Sequence, residues 1–286
     1  EQYYLIGGQR KTSFPKKITP ELAELIGYFY GDGNIEQHSI HVTNASDEVV
    51  TRIKELSRKL FNITPIIRVE KRSKVNLRRI SISSKTIVSL ISNIFAVPYG
   101  AKSRTMTLPA KFLTLPKRYT ERFLRAYFDC DGYIADEVRS IEFCTASREF
   151  AYQLRILLLK HQMNSSYAIK QINNTPYYRI SLGGVNAEEF AIKIGSLIPF
   201  KQNRLNKLTA IGLEQTQGHL ENFHLGPLLK EVREYYGASI GELQKYVKSY
   251  GTYESEGKIS RNALRKFLNG LKKTRNTNNT ILSNCT

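Results

Sequence analysis

Two nine-residue stretches, Leu25-Ile-Gly-Tyr-Phe-Tyr-Gly-Asp-Gly33 and Leu124-Arg-Ala-Tyr-Phe-Asp-Cys-Asp-Gly132, constrain this chain more than any other feature. Each is an apolar, aromatic run that ends in Asp-Gly. Apolar residues recur at i, i+3 and i+4, so each predicts a helix that stops at its glycine. Small residues stand four apart on one stripe, Gly27 and Gly31 in the first and Ala126 and Cys130 in the second. That spacing lets two helix backbones approach closely. If the helices pack on each other, Asp32 and Asp131 meet at their C-terminal ends. Helix C-termini carry partial negative charge, and neighbouring carboxylates repel. A divalent cation between them removes the conflict, so the pair reads as half of a metal site.

The two nonapeptides resemble the paired signature of the LAGLIDADG homing endonucleases, in the single-chain form with two repeats. The resemblance spans about residues 18 to 213, and two copies so placed are far more specific than one. It departs at the sixth position, usually Asp, which is Tyr30 in the first copy and Asp129 in the second. The acidic eighth position is intact in both, so the resemblance implies a competent metal site. It further implies magnesium as the ion, with manganese as a substitute, and short 3′ overhangs as the product.

In chain order, residues 1–17 form a basic lead-in broken by Gly7-Gly8 and Pro15. Thr19-Pro20-Glu21 then opens a helix with an N-cap, a proline at N1 and an acidic first turn. After Gly33 the period becomes two, with a strand near Ile35 and another through Ile40 and Val42. Helical spacing returns over Asp47–Leu60. Strands follow at Pro65–Glu70 and Asn76–Ser83, then a helix at Lys85–Phe95. The same order recurs: helix Arg118–Asp131, hairpin Gly132–Cys144, helix Ser147–His161, strands Tyr167–Ile172 and Tyr177–Leu182, helix Asn186–Leu197. Arg79-Ile-Ser-Ile82 parallels Arg179-Ile-Ser-Leu182, and Ile40–Ser46 parallels Ile141–Ser147. A period near a hundred residues is too long for a solenoid. It predicts an α+β chain of two pseudo-two-fold-related αββαββα repeats, residues 18–116 and 117–213, with antiparallel sheets.

Residues 214–286 read as a helical, basic extension, with helices at Leu225–Tyr236, Ile240–Tyr250 and Ile259–Leu271, the last capped by Ser260. Beyond Glu256 there are seven Lys or Arg and no acid. A basic helix beginning Ser-Arg-Asn resembles a helix-turn-helix recognition segment, with Arg261, Arg265 and Lys266 as contacts. A solvated basic helix fits as well.

Lys and Arg number 43 against 25 Asp and Glu, a formal charge of +18 that favours a polyanionic partner. Cys130, Cys144 and Cys285 form no C-x-x-C, which supports neither a disulfide framework nor a zinc site. No apolar run reaches membrane-spanning length and no signal-peptide pattern opens the chain, so a soluble, cytoplasmic protein is expected. Walker A, G-x-S-x-G and H-E-x-x-H motifs are absent, and the five histidines show no H-N-H grouping.

Cutting a duplex takes one hydrolysis per strand, which a two-fold site with one carboxylate per half can supply. Metal held by Asp32 and Asp131, with the carbonyls of Gly31 and Cys130 as further ligands, would polarise the scissile phosphate. Lys102 and Lys201 both close their repeats in basic elements, 99 residues apart like the two aspartates, and would stabilise the transition state. For recognition, Ile67, Val69, Ile80 and Ile82 should pack on helices and leave Arg68, Glu70, Arg72, Arg79 and Ser81 facing outward. The second repeat offers Glu142, Tyr177, Arg179 and Ser181. A β-ribbon fits the major groove, where Arg reads guanine and Glu can read cytosine. His41 on a polar strand face could touch DNA, although an ordinary surface histidine is the commoner case.

The leading expectation is therefore a monomeric endonuclease that cuts double-stranded DNA at a long specific site. A non-cleaving nucleic-acid-binding protein of this fold, a maturase or regulator, is the alternative; both aspartates and both lysines argue against it. A third reading is a fragment of a self-splicing intein, since the flanks resemble archaeal intein endonuclease regions. Splicing itself is not supported, because Glu1 is no nucleophile and Asn284-Cys285 lacks the usual preceding His.

Overall fold

The structure is a computed structural model that describes residues 2–5, 12–70, 76–100, 103–135, 140–210, 222–260 and 263–271. The chain divides into two compact units, Glu1–Gln215 and Thr216–Thr286.

In the first unit, β1 (Gln2–Leu5) and β2 (Thr12–Pro15) pair antiparallel where a lead-in was expected. Phe14 is the reason: its buried ring stacks on Phe61 at 5.8 Å, while Ser13 Oγ donates to the Leu60 carbonyl at 3.2 Å. α1 (Pro20–Tyr30) opens at Thr19, whose side chain accepts from the Leu22 amide. α5 (Lys117–Asp131) follows Pro116. These two helices cross on their small residues. A Cβ on Gly27 would lie 2.5 Å from the Phe123 carbonyl oxygen and 2.8 Å from Ala126 Cβ. One on Gly31 would lie 2.3 Å from Cys130 Cβ. Ala126 and Cys130 are 99 positions beyond Gly27 and Gly31. Each residue thus meets its own equivalent, as a two-fold axis through the contact demands.

The glycines that end the signatures are there for space. Neither Gly33 nor Gly132 has the positive φ of the left-handed region expected of a terminating glycine, Gly132 standing at −77°. A Cβ on Gly132 would fall 1.9 Å from the Phe128 ring, and one on Gly33 2.4 Å from the Phe29 carbonyl oxygen.

Each signature helix feeds a four-stranded antiparallel sheet. In the first repeat β3 (Gly33–Ile35), β4 (Ser39–Asn44), β5 (Ile66–Val69) and β6 (Arg78–Ser83) run in the order β3-β4-β6-β5. In the second, β7 (Gly132–Ala135), β8 (Ser140–Thr145), β9 (Ser166–Ile172) and β10 (Thr175–Gly183) run β7-β8-β10-β9. α2 (Asp47–Phe61), α3 (Lys85–Phe95) and the short α4 (Ala110–Leu113) complete the first repeat; α6 (Arg148–Lys160), α7 (Val185–Lys193) and α8 (Pro199–Ala210) complete the second. The helix expected through Leu197 stops at Lys193. Gly195, at φ +64°, turns the chain, and Pro199 starts a new helix at the one place where its missing N–H costs nothing.

One core runs through both repeats, dominated by Tyr30, Phe123, Tyr127, Phe128, Phe143 and Phe150, all fully buried. A charge sits inside it. Glu24, with no exposed surface, accepts from Arg52 at 2.9 Å through both Nε and Nη2 and from Arg125 at 2.9 Å, with Arg122 at 3.5 Å. It ties α1 to α2 and α5.

In the second unit, β11 (Asn222–His224) and β12 (Lys258–Ser260) pair antiparallel. α9 (Gly226–Tyr235), α10 (Ile240–Gln244), α11 (Tyr250–Glu256) and α12 (263–271) surround Leu243, Tyr250, Ile259 and Phe267. The helix expected over Ile240–Tyr250 breaks after Gln244. Restarting at Tyr250 lets that buried phenol donate to the Leu229 carbonyl at 3.0 Å and stack on Phe267. Ile259 lies in β12 rather than in a helix; Ser260 Oγ accepts from the Ala263 amide at 3.3 Å, the capping role expected of it. No helix among the described residues is long and apolar enough to cross a membrane.

Candidate metal and nucleic-acid site

Because α1 and α5 cross residue on equivalent residue, Asp32 and Asp131 come to the same end of the crossing. Asp131 is exposed and Asp32 half-buried. Both carboxylates act on the Cys130 thiol, which burial first, and then their charges, push well above its ordinary range. Asn44, at the end of β4, donates to Asp32 Oδ2 at 2.6 Å and fixes that carboxylate. Its counterpart in the parallel heptapeptides is Thr145, so position 44 is one that the repeat comparison could have singled out. A cleft of about 690 Å³ opens at Asp32, lined among others by Asn44, Asp47, Glu48, Phe200 and Lys201.

Among the described residues no three His, Cys, Asp or Glu side chains cluster as a metal cage. What the helix ends present is two carboxylates. That donor set fits a hard divalent ion that keeps water and completes its shell with phosphate oxygens, as magnesium does. Lys201 stands beside it. Its Nζ donates to the carbonyls of Phe128 (2.7 Å), Asp129 (2.9 Å) and Gly132 (2.8 Å), which flank Cys130. Burial lowers its pKa; Asp129, Cys130, Asp32 and Asp131 pull the other way.

The sixth signature positions, where the two copies differ, are both buried anchors. Asp129 accepts from Ser196 Oγ at 2.5 Å and from the Leu197 amide at 3.1 Å. Burial pushes its carboxyl up to about 6, against the opposing pull of those hydrogen bonds, Lys201 and Arg125. The Tyr30 hydroxyl shares its proton between the carbonyls of Phe95 and Thr107, each at 2.6 Å.

Strand register sorts the reading faces. Thr43, Arg79 and Arg68 stand opposite one another across β4, β6 and β5, as do His41, Ser81 and Ile66, with Asn34 beyond His41. In the second sheet Tyr133, Glu142, Ser181 and Ser166 form one row, Cys144, Arg179 and Ala168 the next, and Tyr177 pairs with Lys170. Asn34, Thr43, Tyr133 and Lys170 were not singled out as contacts from sequence; the strand register sets them beside His41, Arg79, Glu142 and Tyr177, a relation that alternation along one strand does not give. Arg79 is held by Glu36 at 3.0 Å and Arg179 lies 3.7 Å from Glu142. His41 sits between Ser39 and Ser81, each at 2.8 Å, with Glu36 at 3.3 Å. Glu70 closes the β5–β6 hairpin through its backbone, its amide donating to the Leu77 carbonyl at 2.8 Å.

One expectation fails here. Ile80 and Ile82 are buried, but Ile67 and Val69 are 37% and 61% exposed. β5 is an outer strand and all four of its residues are exposed, unlike the outer strands β3 and β7, which bury alternate residues; nothing among the described residues covers the apolar side of β5. In the second unit Arg265 and Lys266 are exposed on α12. Lys102, Arg72 and Arg261 lie outside the described residues.

A duplicated αββαββα scaffold with a carboxylate pair at its two-fold axis is the class these observations define. The chain matches the LAGLIDADG-like domain twice, over residues 19–94 and 119–195. Those segments make up more than half of it, and the chain belongs to that family. It is 29% identical over 261 residues to one of the subunits of the A-type ATP synthase of Pyrococcus abyssi, covering 90% of this chain and 23% of that protein. It is 35% identical over 197 residues to a replication factor C small subunit of Methanocaldococcus jannaschii, covering 67% and 10% respectively. The chain thus spans less than a quarter of the length of these curated relatives. Among solved structures it is similar to I-DmoI in complex with DNA and calcium, at 12% identity and a TM-score of 0.50, over 66% of this chain and 97% of that one. That likeness is one of fold.

Proposed function

We propose that this chain is a site-specific endonuclease that hydrolyses one phosphodiester on each strand of double-stranded DNA. The observation that carries the reading is the crossing of α1 and α5, which brings one carboxylate from each repeat to a shared axis between two sheets with basic, polar faces. Asp32 and Asp131 would hold magnesium, with manganese as a substitute and the carbonyls of Gly31 and Cys130 within the same helix ends. The bound ion would polarise the scissile phosphate and lower the pKa of an attacking water. Asn44 orients Asp32. Arg68, Arg79, Ser81 and Glu70 in the first repeat, and Glu142, Tyr177, Arg179 and Ser181 in the second, would enter the major groove. Arg79 and Arg179 would exchange Glu36 and Glu142 for guanine edges. Arg72, Arg261, Arg265 and Lys266 add basic contacts, and Lys102 would act near the cleaved phosphate. The protein would work as a monomer, because both halves of the site are on one chain.

A randomised duplex library incubated with the protein and magnesium, followed by sequencing of the cut ends, tests this. A single enriched target with short 3′ overhangs is expected. Selective binding of one sequence without cuts would instead support a maturase-like or regulatory role. The relatives favour one addition. Components of an ATP synthase and of a replication factor share no activity by name, yet the same chain matches a minor share of each. That pattern supports a mobile insert, the endonuclease part of an intein, as the origin of this sequence.

A further inference from the structure

We propose that Lys201 is the cap of α5, a positioning residue for Asp131, rather than a group that reaches the cleaved phosphate. An ammonium has three hydrogens. Those of Lys201 have three carbonyl partners at 2.7, 2.9 and 2.8 Å, on Phe128, Asp129 and Gly132, and its charge lies 5.1 Å from the centre of the Phe128 ring. The first two carbonyls belong to the last turn of α5, and the third to the residue that follows Asp131. A helix leaves its final carbonyls unpaired and its C-terminal end negative. Here that end also carries Asp131, so the position gains most from a fixed cation. To reach a phosphate oxygen, Lys201 would have to give up all three of these bonds, the Phe128 carbonyl alone keeping the partner it has in the Gly132 amide at the helix end.

The rest of the repeat holds Lys201 in this place. Asp129, inside the same signature, accepts from Ser196 Oγ and the Leu197 amide just ahead of α8. Gln202 Oε1, one residue after Lys201, accepts from the Ser196 amide at 2.7 Å. Helix α5 and the start of α8 are therefore locked reciprocally: the sixth-position carboxylate receives the α8 leader, and Lys201 returns to the carbonyls beside it. The first repeat keeps the anchor with reversed polarity, because Tyr30 donates to Phe95 and Thr107, which bracket the segment containing Lys102. A tyrosine can stand where the second repeat has an aspartate for that reason: the position serves the leader segment.

The activity arm of the test rests on the endonuclease reading; the others need neither DNA nor cleavage. Lys201→Met and the milder Lys201→Gln are compared with wild type by urea unfolding, by amide hydrogen exchange at Asp131 and Gly132, and by calorimetric titration of the free protein with calcium chloride. Capping predicts a lower unfolding midpoint and faster exchange at those amides, graded from Gln to Met. It also predicts calcium affinity reduced by about 10–100-fold, the range found when a residue behind a metal ligand is lost. A lysine poised for the phosphate predicts the opposite: an unchanged or raised midpoint once a buried charge is removed, unchanged exchange and calcium binding, and a loss confined to the single-turnover rate. That result overturns the proposal. If Lys201→Met does not fold, the capping account is supported only when Lys201→Gln shows the exchange change, and it fails otherwise.

Discussion

Replacing Glu24 by Gln should destabilise the first unit more than any other isosteric change in it. The carboxylate has no exposed surface and faces three guanidiniums: Arg52 in a two-pronged pair at 2.9 Å, Arg125 at 2.9 Å and Arg122 at 3.5 Å. Glutamine keeps the shape but offers one acceptor where two were used, and turns its NH2 toward cations. Removing one partner of a buried ion pair costs about 3–5 kcal/mol. The arginine side chains retain 26%, 21% and 44% exposure, so they can turn to water and recover part of that. The expected loss is therefore about 2–4 kcal/mol, set by the charged hydrogen bonds given up. Position 24 corresponds to Phe123 in the second repeat, so only one helix supplies this anion and nothing duplicates it. Urea unfolding of Glu24→Gln against wild type measures the loss, and a cycle with Arg125→Met isolates the part that crosses between repeats. A loss under about 1 kcal/mol, or no coupling to Arg125, would refute the view that this cluster joins the helices carrying Asp32 and Asp131.

Three further outcomes are expected. His161, whose Nε2 lies 2.8 Å from Thr120 Oγ1, is pushed down to about 4 by burial and then by Lys117, Lys160 and Lys193. The unfolded chain therefore binds its proton first: stability is whole above pH 6.5 and falls as pH drops through 4, by about 3 kcal/mol in all, and His161→Gln should flatten that limb in urea midpoints taken across pH. Gly27→Ala gains about 1 kcal/mol in helix propensity, but its methyl would press on the Phe123 carbonyl, so a net loss of about 1–3 kcal/mol is expected in the same assay. Arg79→Ala and Arg179→Ala should each broaden the cleaved-site profile and cost about 1–3 kcal/mol of discrimination at one base pair, read by competition binding, with near-normal single-turnover rates.

What the sequence made legible follows from how local the causes are. Gly27, Gly31, Ala126 and Cys130 announced the helix crossing because backbone approach needs small side chains at fixed spacing, a one-dimensional rule. Thr19 marked a helix start for the same reason; its side chain accepts from an amide three residues on, as Ser46 and Ser147 do ahead of α2 and α6. The exposure of Ile67 and Val69 was hidden, since alternation says which residues share a face and nothing about whether another element covers it. The partners of Lys201 were hidden too. A matching offset of 99 placed it near Asp131, but whether an ammonium meets phosphate or carbonyls depends on α8, whose start at Pro199 a basic run disguised. Tyr30 looked like a defect in the signature and turns out to be an anchor of opposite polarity, which only the Phe95 and Thr107 carbonyls disclose.

The most direct test of the central claim, that Asp32 and Asp131 share one catalytic site, is single-turnover cleavage beside equilibrium binding on a duplex selected from the library. Wild type, Asp32→Asn and Asp131→Asn are each measured with magnesium at saturating protein. Each substitution leaves the shared metal site short of a carboxylate, so both should abolish double-strand cutting while binding stays largely intact. Wild-type cutting rates in either variant would contradict the account.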